Sequence, residues 1–547
     1  MRDGQVLCAD VYLPDAEVPV CALLTRTPYD GRRSVIAMAG IDLERATDAG
    51  FAVVVQDVRG RGRSGGAFAP FVHEGRDGYD TVEWVAEQPW CSGPVGMIGR
   101  SYPAAVQWFG AVTRPPHLRA IAPMITGSET YNGSIYQGGA FLLGFNLFWV
   151  RLIADPTRTG ALDTWNRYLP LREIPDLQAN AAADFYTEWL DHPSFDEHWS
   201  QQAVNLHYDR IDVPACHVGG WYDIFLGGTL ENFARLREEA GTEVARAGQR
   251  LVLGPWAHGA ALGAYPDHHF AGLPDSADLD LTDVQLRFFD RYLRGGEGAL
   301  WEGDDDRPVK LFVMGSNTWR TEQAWPLARA VSTPFYLRAD GGLSTDPPPE
   351  RDASSSFRYD PADPAPTLGG PTSLPGRMMR TDQGPRDQGP VEARVDVLVF
   401  TSAPLPEPME VTGPLTAVVH FATSAPDTDV VVKLCDVDLE GRSMVLAEGV
   451  LRCRYRQGRD REVPMVPGQP EALTVDLVAT SNVFGAGHRI RVDVTSSSFP
   501  RFDRNPNTGH AFGTDGPSDL RVADQTVLHD RAHPSRVVLP VVALPPP

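Results

Sequence analysis

The run from Val95 to Trp108, Val-Gly-Met-Ile-Gly-Arg-Ser-Tyr-Pro-Ala-Ala-Val-Gln-Trp, limits what this chain can fold into more than any other stretch. Val95 to Ile98 suits a short strand buried on both faces, and from Pro103 onward the pattern is helical. Joining the two requires a sharp turn at Gly99-Arg-Ser101. Such a turn lifts a serine hydroxyl clear of the strand ends and aims a helix N-terminus at it. Gly99 fits, because a side chain two residues before the serine would strike the returning helix. The pattern departs from G-x-S-x-G: Pro103 takes the last glycine position and Ala104 follows. Proline is tolerated in a first helical turn, where its missing N–H has no partner anyway. Taken alone, the stretch also reads as a loop serine ahead of an ordinary helix.

The surrounding chain supplies a setting for that turn. Cys21 to Thr25 and Phe51 to Gln56 are near-continuous apolar runs, and Val95–Ile98 and Ala120–Ile125 add two more. With helical patterns at 41–49 and 77–87 between them, this is a parallel sheet with crossover helices. Val58-Arg-Gly-Arg-Gly-Arg-Ser-Gly-Gly66 contains G-x-G-x-x-G after a strand. Ala67-Phe-Ala-Pro-Phe then follows instead of a helix, so a dinucleotide site is not expected. Residues 129–211 are rich in aromatic helices (Trp149, Trp165, Tyr168, Phe185, Trp189, Trp199) and read as a helical cap over the sheet's C-terminal edge. The sheet resumes at Ala215–Asp223, Gln249–His258 and Val309–Met314, with helices at 230–239 and 282–293. Beyond 320, proline and glycine become dense and alternating runs at 395–400, 415–421, 430–434 and 488–494 indicate an all-β sandwich of jelly-roll type. Asp436-Val-Asp-Leu-Glu-Gly441 lacks the spacing of a calcium loop and reads as a hairpin turn. The expected division is 1–128 and 212–320 for an α/β-hydrolase sheet, 129–211 for the cap and 321–547 for the jelly roll.

A net charge of −22 argues against nucleic acid as a partner. The six cysteines contain no C-x-x-C pair, which is neither a disulfide framework nor a zinc site and suits a reducing compartment. Phe141 to Ala154, the most apolar stretch, holds Asn146 and Arg151 and is too short to span a bilayer. The expectation is a cytoplasmic protein with no membrane partner, no cofactor and no metal; export stays open if the natural start lies upstream, and a homo-oligomer also stays open.

Asp223 and His258 each sit just past an expected strand, in the order Ser, Asp, His. Parallel strands bring their C-terminal ends to one edge, and this order is the one α/β-hydrolases use. His258 would take the Ser101 proton, and Asp223 would hold the imidazole in the right tautomer. His268 and His269 lie in a polar loop, and His192, His198 and His207 in the cap, so they fit less well. The Tyr102 backbone N–H, at a helix N-terminus, supplies one oxyanion donor. The Tyr29 hydroxyl, in the loop Thr25-Arg-Thr-Pro-Tyr-Asp30, is the candidate second donor; a tyrosine packing at a turn is the plainer alternative.

Thr27-Pro-Tyr-Asp30, Gln56-Asp-Val-Arg-Gly60, Gly99-Arg-Ser-Tyr102, Gly220-Trp-Tyr-Asp223 and Gly254-Pro-Trp-Ala-His258 together resemble the cocaine esterase-like (CocE/NonD) hydrolases, relatives of X-Pro dipeptidyl-peptidases and α-amino-acid ester hydrolases. Trp189-Leu-Asp-His-Pro-Ser194 resembles the family's cap and Thr428 to Val437 its jelly roll. The resemblance implies Ser101, Asp223 and His258 as a triad, Tyr29 and Tyr102 as the oxyanion hole, and a small-molecule ester or amide as substrate. Arg100 is an unusual charge for the family beside the serine, and Pro103-Ala104 replaces a more flexible turn. Phe225 resembles an aromatic wall of a neutral acyl pocket, and Trp108 is the other candidate substrate contact. The implied activity is a serine hydrolase cleaving esters through an acyl-enzyme. The alternatives are an X-Pro dipeptidyl-peptidase or an α-amino-acid ester hydrolase or β-lactam acylase, which need carboxylates around a free amino group, and a binding protein with a disabled triad. Ile224-Phe-Leu-Gly-Gly-Thr229 after Asp223 offers no carboxylate before Glu231, although Glu129, Asp184 or Asp191 of the cap could supply one.

Overall fold

The apolar runs become strands with both faces covered: Leu23, Leu24, Val53, Val54, Val95 and Ile98 are all fully buried. The protein is described here by a computed structural model covering residues 1–29, 39–154, 161–180, 183–259, 263–270, 279–301, 306–374 and 383–544. Nine strands form the first sheet: β1 (Ala9–Tyr12), β2 (Val20–Thr27), β3 (Ala52–Asp57), β4 (Cys91–Arg100), β5 (Leu118–Met124), β6 (Cys216–Tyr222), β7 (Arg250–Ala257), β8 (Val309–Val313) and β9 (Thr318–Glu322). Their order is β1-β3-β2-β4-β5-β6-β7-β8-β9. All neighbours from β3 to β8 run parallel, as expected. β1 and β9 are antiparallel additions at the two edges. β9 forms a hairpin with β8 that pairs Val309 with Glu322, so the sheet runs just past residue 320. Its polar Thr-Trp-Arg-Thr-Glu sequence hides an edge strand.

The helix expected from Leu230 begins earlier, at Leu226. Gly227 and Gly228 conceal its first turn, because glycine is a poor helix former. Here the glycine is required by packing: a Cβ on Gly228 would lie 2.6 Å from the Gly127 Cα.

Between β5 and β6 the chain forms the helical layer, including Leu143–Ala154, Ala161–Arg167 and Asp184–Asp191. Trp149, Trp165, Phe185, Trp189 and Trp199 pack there in one cluster with Tyr29 and Tyr102. The cap's aromatic stripe is thus mainly its own core, and that core extends down to the sheet edge.

The C-terminal part is a β-sandwich with eleven paired strands. Its longest strand, Met409–Thr423, pairs with Glu471–Phe484 and Arg536–Val542. Asp436–Gly441 lies at a hairpin turn, where the Asp438 carboxylate accepts the N–H groups of Glu440 and Arg442. The sandwich does not stand apart. Trp221, Tyr222 and Phe312 of the first sheet share one core with Val411, Phe484 and Leu446. Arg452 pairs with Asp429 and Asp503, both at 2.9 Å, and Asp503 accepts the Phe141 N–H of the cap. Sheet, cap and sandwich are therefore mutually buttressed. Among the described residues no helix is long and apolar enough to cross a membrane.

Candidate active site

The strand order decides which residues meet. β2 and β4 are hydrogen-bonded neighbours with Leu24 opposite Met97, so Tyr29 and Ser101 leave the same edge side by side. β6 and β7 are neighbours with Tyr222 opposite Ala257, which places Asp223 next to His258. β5 sits between β4 and β6 and completes the row.

At the end of β4 the backbone bends hard. Ser101 has φ 59° and ψ −125°, an unfavourable conformation for a residue with a side chain, held by its N–H donating to the Met124 carbonyl at 2.9 Å. The helix Tyr102–Ala111 starts immediately afterwards. Gly99 has φ 148°, and a Cβ there would stand 2.5 Å from the Pro103 Cβ. Pro103 is therefore accommodated by the missing side chain of Gly99, and the turn keeps its shape without a second glycine.

His258 Nε2 lies 3.0 Å from Ser101 Oγ, and His258 Nδ1 lies 2.8 Å from Asp223 Oδ2. The other Asp223 oxygen accepts the Phe225 N–H at 2.8 Å. With Nδ1–H donating to a buried carboxylate, Nε2 is left as the acceptor facing the serine. The Asp223 side chain is fully shielded, while that of His258 keeps 11% of its surface.

Tyr29 accepts a hydrogen bond from Trp149 Nε1 at 3.1 Å. Burial pushes its hydroxyl up to about 12, against the opposing influence of Trp149 and Ser101, so it stays protonated near neutral pH. The side chain of Tyr102 is committed elsewhere: its hydroxyl donates to Glu74 Oε1 at 2.9 Å, and Glu74 is paired with the buried Arg26 at 2.8 Å. What Tyr102 offers at the serine is its main-chain N–H, which has no acceptor within the helix.

A mostly apolar pocket opens beside Ser101, walled by Phe71, Phe145, Trp149, Trp189 and Phe225, with Glu129 at one side. Phe225 also meets the His258 ring edge-on at 5.1 Å. Trp108 is a correction. It is fully buried, stacked 5.5 Å from His217, and packs with Val95, Met97 and Ile121 under the sheet. Lying nearly two turns beyond the serine, on the helix face toward the strands, it cannot reach a ligand.

Residues 3–260 match the X-Pro dipeptidyl-peptidase (S15) family, and residues 302–538 match the X-Pro dipeptidyl-peptidase C-terminal non-catalytic domain. The chain is 37% identical to cocaine esterase from Rhodococcus sp. (strain MB1 Bresler), with 99% of this chain and 97% of that protein covered. This chain belongs to the cocaine esterase-like family. It is accordingly a serine hydrolase. In the structure, the family architecture is similar to an aminopeptidase from a marine sediment Thaumarchaeota archaeon (TM-score 0.88, 26% identity, 99% and 95% of the chains covered). It is also similar to an α-amino acid ester hydrolase (TM-score 0.83, 28% identity, the same coverage).

Against this family background three contacts stand out that sequence reasoning did not supply. Arg100 donates through Nη2 to the His258 carbonyl at 2.7 Å, tying the strand that carries the serine to the loop that carries the histidine. Burial lowers its pKa, partly opposed by Asp223. Trp149 reaches Tyr29 from the cap. Arg61, in the arginine-rich turn, donates to the Pro28 carbonyl at 2.8 Å and the Ile153 carbonyl at 3.0 Å, joining the tyrosine's loop to the cap. No local pattern announces these pairings, because each links segments from different layers.

Proposed function

We propose that this enzyme cleaves carboxylic esters with uncharged acyl groups, using Ser101 as nucleophile, His258 as general base and acid, and Asp223 as its orienting carboxylate. The observation that carries the reading is the unbroken Ser101–His258–Asp223 hydrogen-bond chain at the mouth of an apolar pocket. Ser101 Oγ attacks the ester carbonyl as its proton passes to His258 Nε2. The carbonyl oxygen becomes an oxyanion that receives the Tyr29 O–H and the Tyr102 N–H. On collapse the C–O bond to the alcohol breaks, and His258 returns the proton to the leaving alkoxide. Water, deprotonated by the same nitrogen, then releases the acid from Ser101 and regenerates the serine.

Tyr29 carries a donor whose value grows as charge develops on oxygen. Tyr29→Phe is expected to lower kcat by about 10²–10³ while KM changes little. Steady-state kinetics on 4-nitrophenyl butyrate reads this directly, and an unchanged kcat would return Tyr29 to a packing role.

The likeness to an aminopeptidase and an α-amino acid ester hydrolase keeps a second reading in view, in which the acyl group carries an α-ammonium. The pocket walls favour the first reading, since burying an ammonium among Phe71, Phe145 and Trp189 would require compensating carboxylates. The deciding experiment labels Ser101 with a fluorophosphonate. It then compares kcat/KM for 4-nitrophenyl acetate and butyrate with that for an amino-acid ester and an X-Pro anilide. The acyl esters are expected to be the better substrates; a clear preference for the amino compounds would overturn the assignment.

A further inference from the structure

Among the described residues lining the pocket beside Ser101, Glu129 alone carries a formal charge. It follows β5 and has a side chain only 7% exposed. A carboxylate so placed should draw a cationic acyl group into the pocket. Both of its oxygens already have partners. Oε1 accepts Arg459 Nη1 at 2.5 Å and the Asn132 N–H at 3.2 Å, and Oε2 accepts Asn205 Nδ2 at 2.8 Å. Glu231 shares Asn205 with it, at 3.2 Å, and is itself held by Arg235 at 2.9 Å.

Arg459 comes from the β-sandwich, far along the chain, and the cap holds it in place. Its carbonyl accepts the Phe195 N–H at 2.8 Å, and its guanidinium lies 4.0 Å from the centre of the Phe195 ring. The planar guanidinium matches a carboxylate's geometry and sits where another cation would have to bind. An incoming α-ammonium would have to displace the Arg459 guanidinium, whose side chain is 38% exposed, from a carboxylate that is itself buried.

We propose that Arg459 is a specificity-determining residue: by cancelling Glu129 it makes the pocket select uncharged acyl groups over α-amino acyl groups. This rests on the ester-hydrolase reading of the same site. Selectivity is thus set from the C-terminal domain, although the carboxylate itself belongs to the catalytic half.

The test uses the full-length enzyme and two substrates differing only by the ammonium, 4-nitrophenyl propionate and alanine 4-nitrophenyl ester. In Arg459→Met, the ratio of kcat/KM for the alanine ester to that for the propionate is expected to rise at least about tenfold, chiefly through a lower KM for the alanine ester. Adding Glu129→Gln to that variant should bring the ratio back down, since no carboxylate remains. Arg459→Gln serves as a second variant with a polar replacement and the same expected rise. A ratio that stays at the wild-type value in a variant that still turns over propionate overturns the inference. Loss of folding in both variants overturns it too, assigning Arg459 to structure. If the wild-type enzyme prefers the alanine ester, the parent reading fails, whichever way the variants move.

Discussion

Ser101→Ala is expected to reduce ester turnover on the order of 10⁶-fold while leaving the folded structure intact. The covalent step has no substitute oxygen, because the neighbouring Tyr29 hydroxyl is kept protonated by burial and accepts the Trp149 Nε1–H. Alanine also fits the site. It removes only the hydroxyl from a residue whose strained backbone is held by the hydrogen bond to Met124 and by the helix beginning at Tyr102. Circular dichroism and thermal melting should match the parent protein, and fluorophosphonate labelling should vanish together with turnover. Near-parental activity in a verified variant would remove Ser101 from the chemistry. Any residual rate above that in water would come from the pocket and the oxyanion donors, which the substitution leaves in place.

Asp223→Asn should lower kcat by about 10⁴ with little change in substrate binding. The carboxylate does two things in this fold: Oδ2 faces His258 Nδ1, and Oδ1 accepts the Phe225 N–H. An asparagine can keep the second contact through its carbonyl oxygen, which turns its NH₂ group toward the imidazole. His258 must then accept at Nδ1 and carry its proton on Nε2, the wrong tautomer for receiving the Ser101 proton. The loss therefore arises from proton placement and not from displaced side chains. Combining it with Ser101→Ala should add almost nothing, since the groups act as one unit. A double variant much slower than Ser101→Ala alone would show Asp223 to be acting outside this chain of hydrogen bonds.

Much of the architecture was legible because buried parallel strands leave an unmistakable mark. Runs such as Phe51–Gln56 have no polar face to alternate, and the composition shift after 320 separates a helix-and-sheet region from a sandwich. Elements without such a mark were missed or misplaced. β9 is polar because it is an edge, and the Leu226 helix begins with two glycines that close packing against Gly127 demands. Trp108 was misread for a related reason. A tryptophan after a serine turn has the right chemistry for a ligand wall, but only the helix phase tells which way it faces.

At the candidate site the division follows from range. The residue types, their order along the chain and their places at strand ends were determined by the sequence alone, since each depends only on its own strand and turn. Ser101, Asp223, His258 and Tyr29 could be named on that basis. Everything that couples one segment to another required the tertiary structure: Trp149 on Tyr29, Arg100 on the His258 carbonyl, and Arg459 on Glu129. Chain neighbours carry no information about such partners, because the strand order and the seating of the cap and sandwich decide who meets. The chemistry of the site was therefore readable from local pattern, whereas the charge of its pocket depends on an arginine delivered by another domain.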